Sequence, residues 1–160
     1  MDKLEHLYQA NIALLSQLNV EYNQWQHEPI LDFETDVIVA KRLGWTATHT
    51  KSLFLKLKGG GHALFLTEKD TRLDGKALKA LLGKRPSICD DQQMSEITGC
   101  VAGAVCPFTL PQDVPIVVDS RLHQEDEILY TPARPDITFS IKGADLKTVL
   151  GSLPNPIHEL

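Results

Sequence analysis

The chain of 160 residues has room for one domain and none for a second of ordinary size, and at this length it buries enough surface to fold without a metal or a disulfide. Hydrophobic residues at 42% and charged residues at 23% exclude a disordered, collagen-like or disulfide-scaffold protein. The net charge of −5 argues against a sequence-independent nucleic-acid binder, yet the charges are segregated: from Lys41 to Arg85 eleven cations stand against three anions, a local +8 that leaves −13 elsewhere.

In chain order, Leu4, Leu7, Tyr8, Ile12, Leu15 and Leu18 recur at helical spacing, and Asp2 with Glu5 reads as a capping box, so a helix is predicted over 3–18. Val20 to His27 reads as a strand ended by Glu28-Pro29, and Thr35 to Leu43 as a helix capped near Thr35 or Asp36 and stopped by Gly44. His49 to Leu57 alternates, with Leu53, Leu55 and Leu57 on one face and Lys56 and Lys58 turned away. Gly59-Gly60-Gly61 then turns the chain into His62 to Thr67, which makes a hairpin. Helices are predicted at Leu73 to Leu82 and from Asp90 to about Thr98, each followed by glycine. Strands follow at Pro115 to Asp119, Glu127 to Thr131 and Asp136 to Ile141, then a last helix from about Ala144 to Leu150 and a proline-containing tail. The mixture lacks the strict alternation of a doubly wound sheet, which predicts a single α+β or mixed-sheet domain over residues 1–160.

The start has no basic segment followed by an apolar run, and no stretch approaches the length of a membrane span, so a cytosolic protein without a membrane partner is expected. Cys89, Cys100 and Cys106 have no CxxC spacing and are expected as reduced thiols. Phosphate-loop, HExxH and GxSxG patterns are missing, so no structural metal and no serine nucleophile elbow are expected, and Gly59-Gly60-Gly61 reads as a turn. Two features remain. The polar-poor segment Thr98 to Phe108, with Gly99, Gly103 and Pro107, is either a packed connection or a loop whose backbone groups hold a small polar ligand. Lys51 shares strand parity with Leu53 and Leu55, and is either a snorkelling strand-end residue or a positioned cation. Cys106 reads as a packing residue in a loop that could line a pocket.

His49-Thr50-Lys51-Ser52-Leu53-Phe54-Leu55, followed by Gly103-Ala104-Val105-Cys106-Pro107-Phe108 and then Val117-Val118-Asp119, resembles the YbaK/prolyl-tRNA-synthetase-associated domain family. The resemblance runs in order from His27-Glu28-Pro29 to the final helix. It implies a mixed, barrel-like β-sheet flanked by helices, no metal or organic cofactor, and trans-editing deacylation of mischarged tRNA. The implied partners are the acceptor end of that tRNA and, in some settings, an aminoacyl-tRNA synthetase; DNA is not expected. The family lysine maps onto Lys51 and the GxxxP loop onto Gly103 through Pro107. Lys51 and Gly103 are thereby implied as catalytic, and Ser52, Ala104, Val105, Cys106, Pro107 and Thr131 as substrate-binding. Members are described as leaving proton transfer to the terminal ribose hydroxyl and bound water. Relatives acting on alanyl-tRNA(Pro) tend to carry Asn where Ser52 stands, Ser or Thr where Cys106 stands, and a histidine near Tyr130-Thr131-Pro132. The expected amino acid is therefore any small one among Ala, Ser, Thr and Cys. Two other readings follow from the same residues: a non-catalytic tRNA- or nucleotide-binding module, and a cysteine hydrolase built on Cys106.

Overall fold

The computed structural model describes residues 2–160. Helix α1 (Lys3–Gln17) starts where the Asp2 carboxylate accepts the Glu5 amide at 2.8 Å, one half of the expected capping box. The Glu5 carboxylate is engaged instead by the Gln9 side-chain amide and by Arg134. Strand β1 (Tyr22–Gln26) follows, then α2 (Phe33–Leu43). The α2 cap is Asp32 rather than Thr35 or Asp36, because the extended backbone at Asp32 lets its carboxylate accept the Thr35 amide at 2.8 Å. Asp36 is thereby moved inside the helix.

The hairpin forms as expected from β2 (Thr48–Leu57) and β3 (His62–Glu68), with Gly59, Gly60 and Gly61 at φ 90°, 124° and 91°, a run that only glycine adopts without strain. Helices α3 (Gly75–Leu82) and α4 (Asp91–Thr98) are capped by Asp74 and Asp90. Between them lies β4 (Pro86–Ile88), which the sequence reading missed: three residues opening on proline carry no alternation to detect. Strands β5 (Ile116–Val118), β6 (Glu127–Tyr130) and β7 (Ile137–Lys142) match expectation, with Thr131 just past the end of β6. Helix α5 (Leu146–Ser152) begins later than predicted because Gly143–Asp145 form a 3-10 turn. The tail holds a further strand, β8 (Ile157–Glu159), formed only by parallel pairing with β5.

All eight strands belong to one mixed sheet in the order β1-β7-β6-β2-β3-β5-β8, with β4 added to β2. Buried apolar residues from five of them, among them Phe54, Leu66, Ile116, Ile128 and Phe139, meet α1, α4 and α5 in one core. A second, smaller cluster lies on the opposite face, where Leu55, Phe65 and Val117 pack under Leu78 of α3. This corrects the reading of β2. Both faces are apolar at Leu53 to Leu55, and the face that Lys51 shares with Leu55 is the one away from the main core.

Asp119, at the end of β5, is buried and accepts hydrogen bonds from the Thr67 hydroxyl at 2.7 Å and from Arg121 Nη2 at 2.6 Å. The Arg121 guanidinium, opposed by burial, holds its carboxyl below the usual carboxylate range. A carboxyl lowered in the folded state binds fewer protons there than in the unfolded chain. Its contribution is complete above the ordinary carboxyl range and is lost as pH falls through the lowered native value. Asp119→Asn is therefore expected to flatten the acid side of the stability curve in chemical denaturation at pH 3–7; an unchanged profile would remove Asp119 from the acid limb.

Candidate active site

The sheet itself opens the site. Strand β2 pairs with β3 along one edge from Thr50 to Lys56. The other edge is shared, first by β6 at Thr48 and His49 and then by β4 from Leu55 to Leu57. Lys51 to Leu53 lie in the split between β6 and β4. The Cys89 amide donates to the Phe54 carbonyl at 3.0 Å, which orients Phe54 toward the β4 edge, and strand alternation then directs the Ser52 N–H and C=O into the split. A cavity of about 390 Å3 occupies this gap.

Lys51, Ser52, Gly103, Val105 and Thr131 all line that cavity, brought together from β2, the loop after α4 and the segment after β6. Ala104, Cys106 and Pro107 are buried behind the loop and are not on the wall. Lys51 is half-buried and has no ion-pair partner among the described residues. Of the eleven cations in the Lys41–Arg85 stretch only Arg42 forms an ion pair among the described residues, with Glu28. Lys69 joins Lys51 on the cavity wall and lies 5.4 Å from the centre of the exposed Phe33 ring.

Gly103 has φ +83°, and a Cβ there would stand 2.3 Å from the Leu31 carbonyl oxygen. The loop and the Ile30–Phe33 segment therefore touch backbone to backbone, and that segment forms a wall of the cavity which the sequence reading missed. Asp36, Trp45, His49, Lys69 and Tyr130 were missed as well. The available signal was local: His49 stands two residues before Lys51, and Leu31 and Phe33 are large apolar residues on either side of the α2 cap Asp32, where they remain exposed. The Trp45 indole N–H is buried without a partner among the described residues.

Behind the loop, Asn11 of α1 is fully buried. Its side-chain amide donates to Cys106 Sγ at 3.1 Å and to the Leu7 carbonyl at 3.2 Å, and its oxygen faces the Tyr130 hydroxyl at 3.4 Å. Burial pushes the Cys106 thiol up to about 11 and raises the Tyr130 phenol well above its usual range. A thiol off the cavity wall and protonated at neutral pH does not serve as a nucleophile, which removes the cysteine-hydrolase reading. Iodoacetamide at pH 8 is expected to leave Cys106 unlabelled in the native protein, as read by peptide mass spectrometry, with activity unchanged; rapid native-state labelling would contradict this placement.

The chain matches the model of the aminoacyl-tRNA editing domain over residues 35–149. It is 33% identical over 144 residues to the multifunctional Ser/Thr-tRNA deacylase ProXp-y of Escherichia coli strain K12, covering 86% of this chain and 84% of that protein. It is 27% identical over 149 residues to the prolyl-tRNA editing protein ProX of Acetoanaerobium sticklandii, covering 89% of each. The crystal structure of hypothetical protein APE2540 superposes with a TM-score of 0.77 at 20% identity, covering 93% of this chain and 97% of that one, a likeness that establishes the shared fold. A match over residues 35–149 takes in β2, the Gly103 loop and β6, which bring Lys51, Ser52, Gly103, Val105 and Thr131 together, and the chain belongs to the aminoacyl-tRNA editing domain family.

Proposed function

We propose that this protein is a trans-editing hydrolase that deacylates mischarged tRNA carrying a small amino acid, on a tRNA(Pro)-type acceptor end. The observation that carries the reading is the cavity in the split of the sheet, where Lys51, the Ser52 backbone and the Gly103–Val105 loop converge. Its volume of about 390 Å3 is in the range of small-ligand sites and has room for an aminoacyl ester with its ribose. The substrate carries negative phosphates and a positive amino group. The wall offers both complements: Lys51 and Lys69 for the former, Asp32, Asp36 and Asp91 for the latter. In this reading Lys51 stabilises charge on the ester carbonyl or terminal phosphate, and the Gly103 loop holds the aminoacyl group. A bound water attacks with the terminal ribose hydroxyl assisting, and no side-chain nucleophile is required.

The test is a deacylation screen over tRNAs mischarged with Ala, Ser, Thr and Cys, run at two ionic strengths. Release of at least one small amino acid, weakening with salt at limiting tRNA, is expected because phosphate contacts by the unpaired cations release counterions. Binding of charged and uncharged tRNA with no release across the panel would replace this reading with that of a non-catalytic tRNA-binding module.

A further inference from the structure

Exposed apolar side chains gather at the mouth of the cavity. Of the six large apolar residues exposed among the described residues, Leu31, Phe33 and Ile88 line it, at 49%, 62% and 56% exposure. A single exposed apolar side chain is ordinary on a protein surface, whereas several around one opening mark a place that something covers. Phe33 is the first residue of α2, directly after the Asp32 cap, where the helix itself requires no aromatic ring. It is nevertheless held in place from both sides. Two residues before it Leu31 meets Gly103 backbone to backbone, and three residues after it Asp36 Oδ2 lies 3.2 Å from His49 Nδ1 of β2. Lys69 has no ion pair among the described residues, and its ammonium stands over one face of the Phe33 ring, 5.4 Å from the centre, which leaves the other face open.

Resting on the deacylase reading, we propose that Phe33 is the stacking platform for the terminal base of the tRNA acceptor end, with Lys69 on the phosphate that precedes that base. A tRNA ends in unpaired nucleotides, and the aminoacyl ester sits on the last ribose. A cavity of about 390 Å3 takes the ester and that ribose, so the attached base comes next, at the mouth, where an apolar rim is exposed. An unpaired base offers a π face with a charged backbone beside it, and an exposed aromatic ring next to an unpaired cation complements both. Asp32 and Glu34 flank Phe33 and repel phosphate, which leaves the Lys69 side for the backbone. A docking protein needs about 800 Å2 of surface on each side, far more than three side chains around a concave opening supply, so a nucleotide is the occupant that fits. Because the terminal nucleotides are common to all tRNAs, the platform adds affinity and placement without selecting among them.

The experiment measures binding by fluorescence anisotropy of two labelled, uncharged RNA hairpins of acceptor-stem form, one ending in single-stranded CCA and the other abasic at its last nucleotide. The wild-type protein is expected to bind the first about tenfold more tightly, and Phe33→Ala to lose that difference while melting within about 2 °C of the wild type, since the ring is exposed. Phe33→Tyr should keep the difference and Phe33→Leu should not, which separates stacking from plain apolar contact. Lys69→Ala should weaken both hairpins and lower the slope of log Kd against log salt by about 0.7, the share of one phosphate on a single strand. On a mischarged tRNA that the wild type hydrolyses, Phe33→Ala should lower kcat/KM about tenfold and Phe33→Tyr restore most of it. A wild type that binds the two hairpins alike, or binds neither, overturns the proposal, as does a Phe33→Leu protein that matches Phe33→Tyr. Wild-type hairpin binding and deacylation in Phe33→Ala would assign the apolar rim to a protein partner and also overturn it. A wild type that prefers the CCA hairpin yet deacylates no substrate of the panel overturns the deacylase reading and leaves the platform standing, so the two failures are distinct.

Discussion

Lys51→Ala is expected to lower the kcat/KM for deacylation by about 100- to 1,000-fold, the usual cost of removing one positioned group that meets developing charge in a water-poor site. The same change should leave the fold in place. Lys51 is half-buried, forms no ion pair among the described residues, and lies between the Asp36–His49 pair and the Leu53–Leu55 cluster under α3 without serving either. Its removal strands no buried partner, so the stability change should stay within about 0.5 kcal/mol, or roughly 1–2 °C in Tm for a chain of this size. Lys51→Arg keeps the charge but replaces a compact ammonium with a wide planar fork in a fixed gap, and should recover only part of the rate. Parallel deacylation kinetics and thermal melts decide the matter: full activity in Lys51→Ala would remove the lysine from the chemistry.

Gly103→Ala should damage stability and activity at once. The left-handed backbone at φ +83° costs a residue with a Cβ roughly 1–3 kcal/mol, and a Cβ set 2.3 Å from the Leu31 carbonyl oxygen forces two backbones apart at a further cost of similar size. A net loss of roughly 2–6 kcal/mol corresponds to a fall in Tm on the order of 4–24 °C. Gly103 and Leu31 both wall the cavity, so the surviving folded protein should also hydrolyse poorly. Gly60→Ala is the matched control. It shares the positive φ, here +124°, but a Cβ there meets nothing within 4 Å and the site is at the distant hairpin turn, so it should lose stability alone. Equal melting temperatures for Gly103→Ala and the wild type would contradict the close approach to Leu31.

Local chemistry was the legible part of the sequence. Asp2 and Asp90 cap helices by accepting an amide three residues on, Gly44, Gly83 and Gly99 end them in left-handed geometry, and Gly59 to Gly61 make the hairpin turn; each needs only its neighbours to be recognised. The strands β4 and β8 were not legible because three residues carry no period, and their existence depends on partners some thirty to forty residues away. Lys51 and the Gly103 loop came into view through resemblance, since parity alone left Lys51 undecided. Parity also misled in one respect: with apolar residues on both faces of β2, it could not tell the main core from the α3 cluster. The split in the sheet is a property of which strands share an edge of β2. No local pattern records that, so the Ile30–Phe33 wall and the reach of Asp36 to His49 appear only in the folded chain.

Both tryptophans of the chain, Trp25 and Trp45, lie 5.5 Å apart between ring centres, in one cluster with His27 and His49, and Trp45 is on the cavity wall. The indole fluorescence of the protein therefore originates in a single corner, on the wall of the cavity. The molecule carries its own optical reporter: occupancy of the cavity can be followed in real time on unmodified protein, with no background from indoles elsewhere.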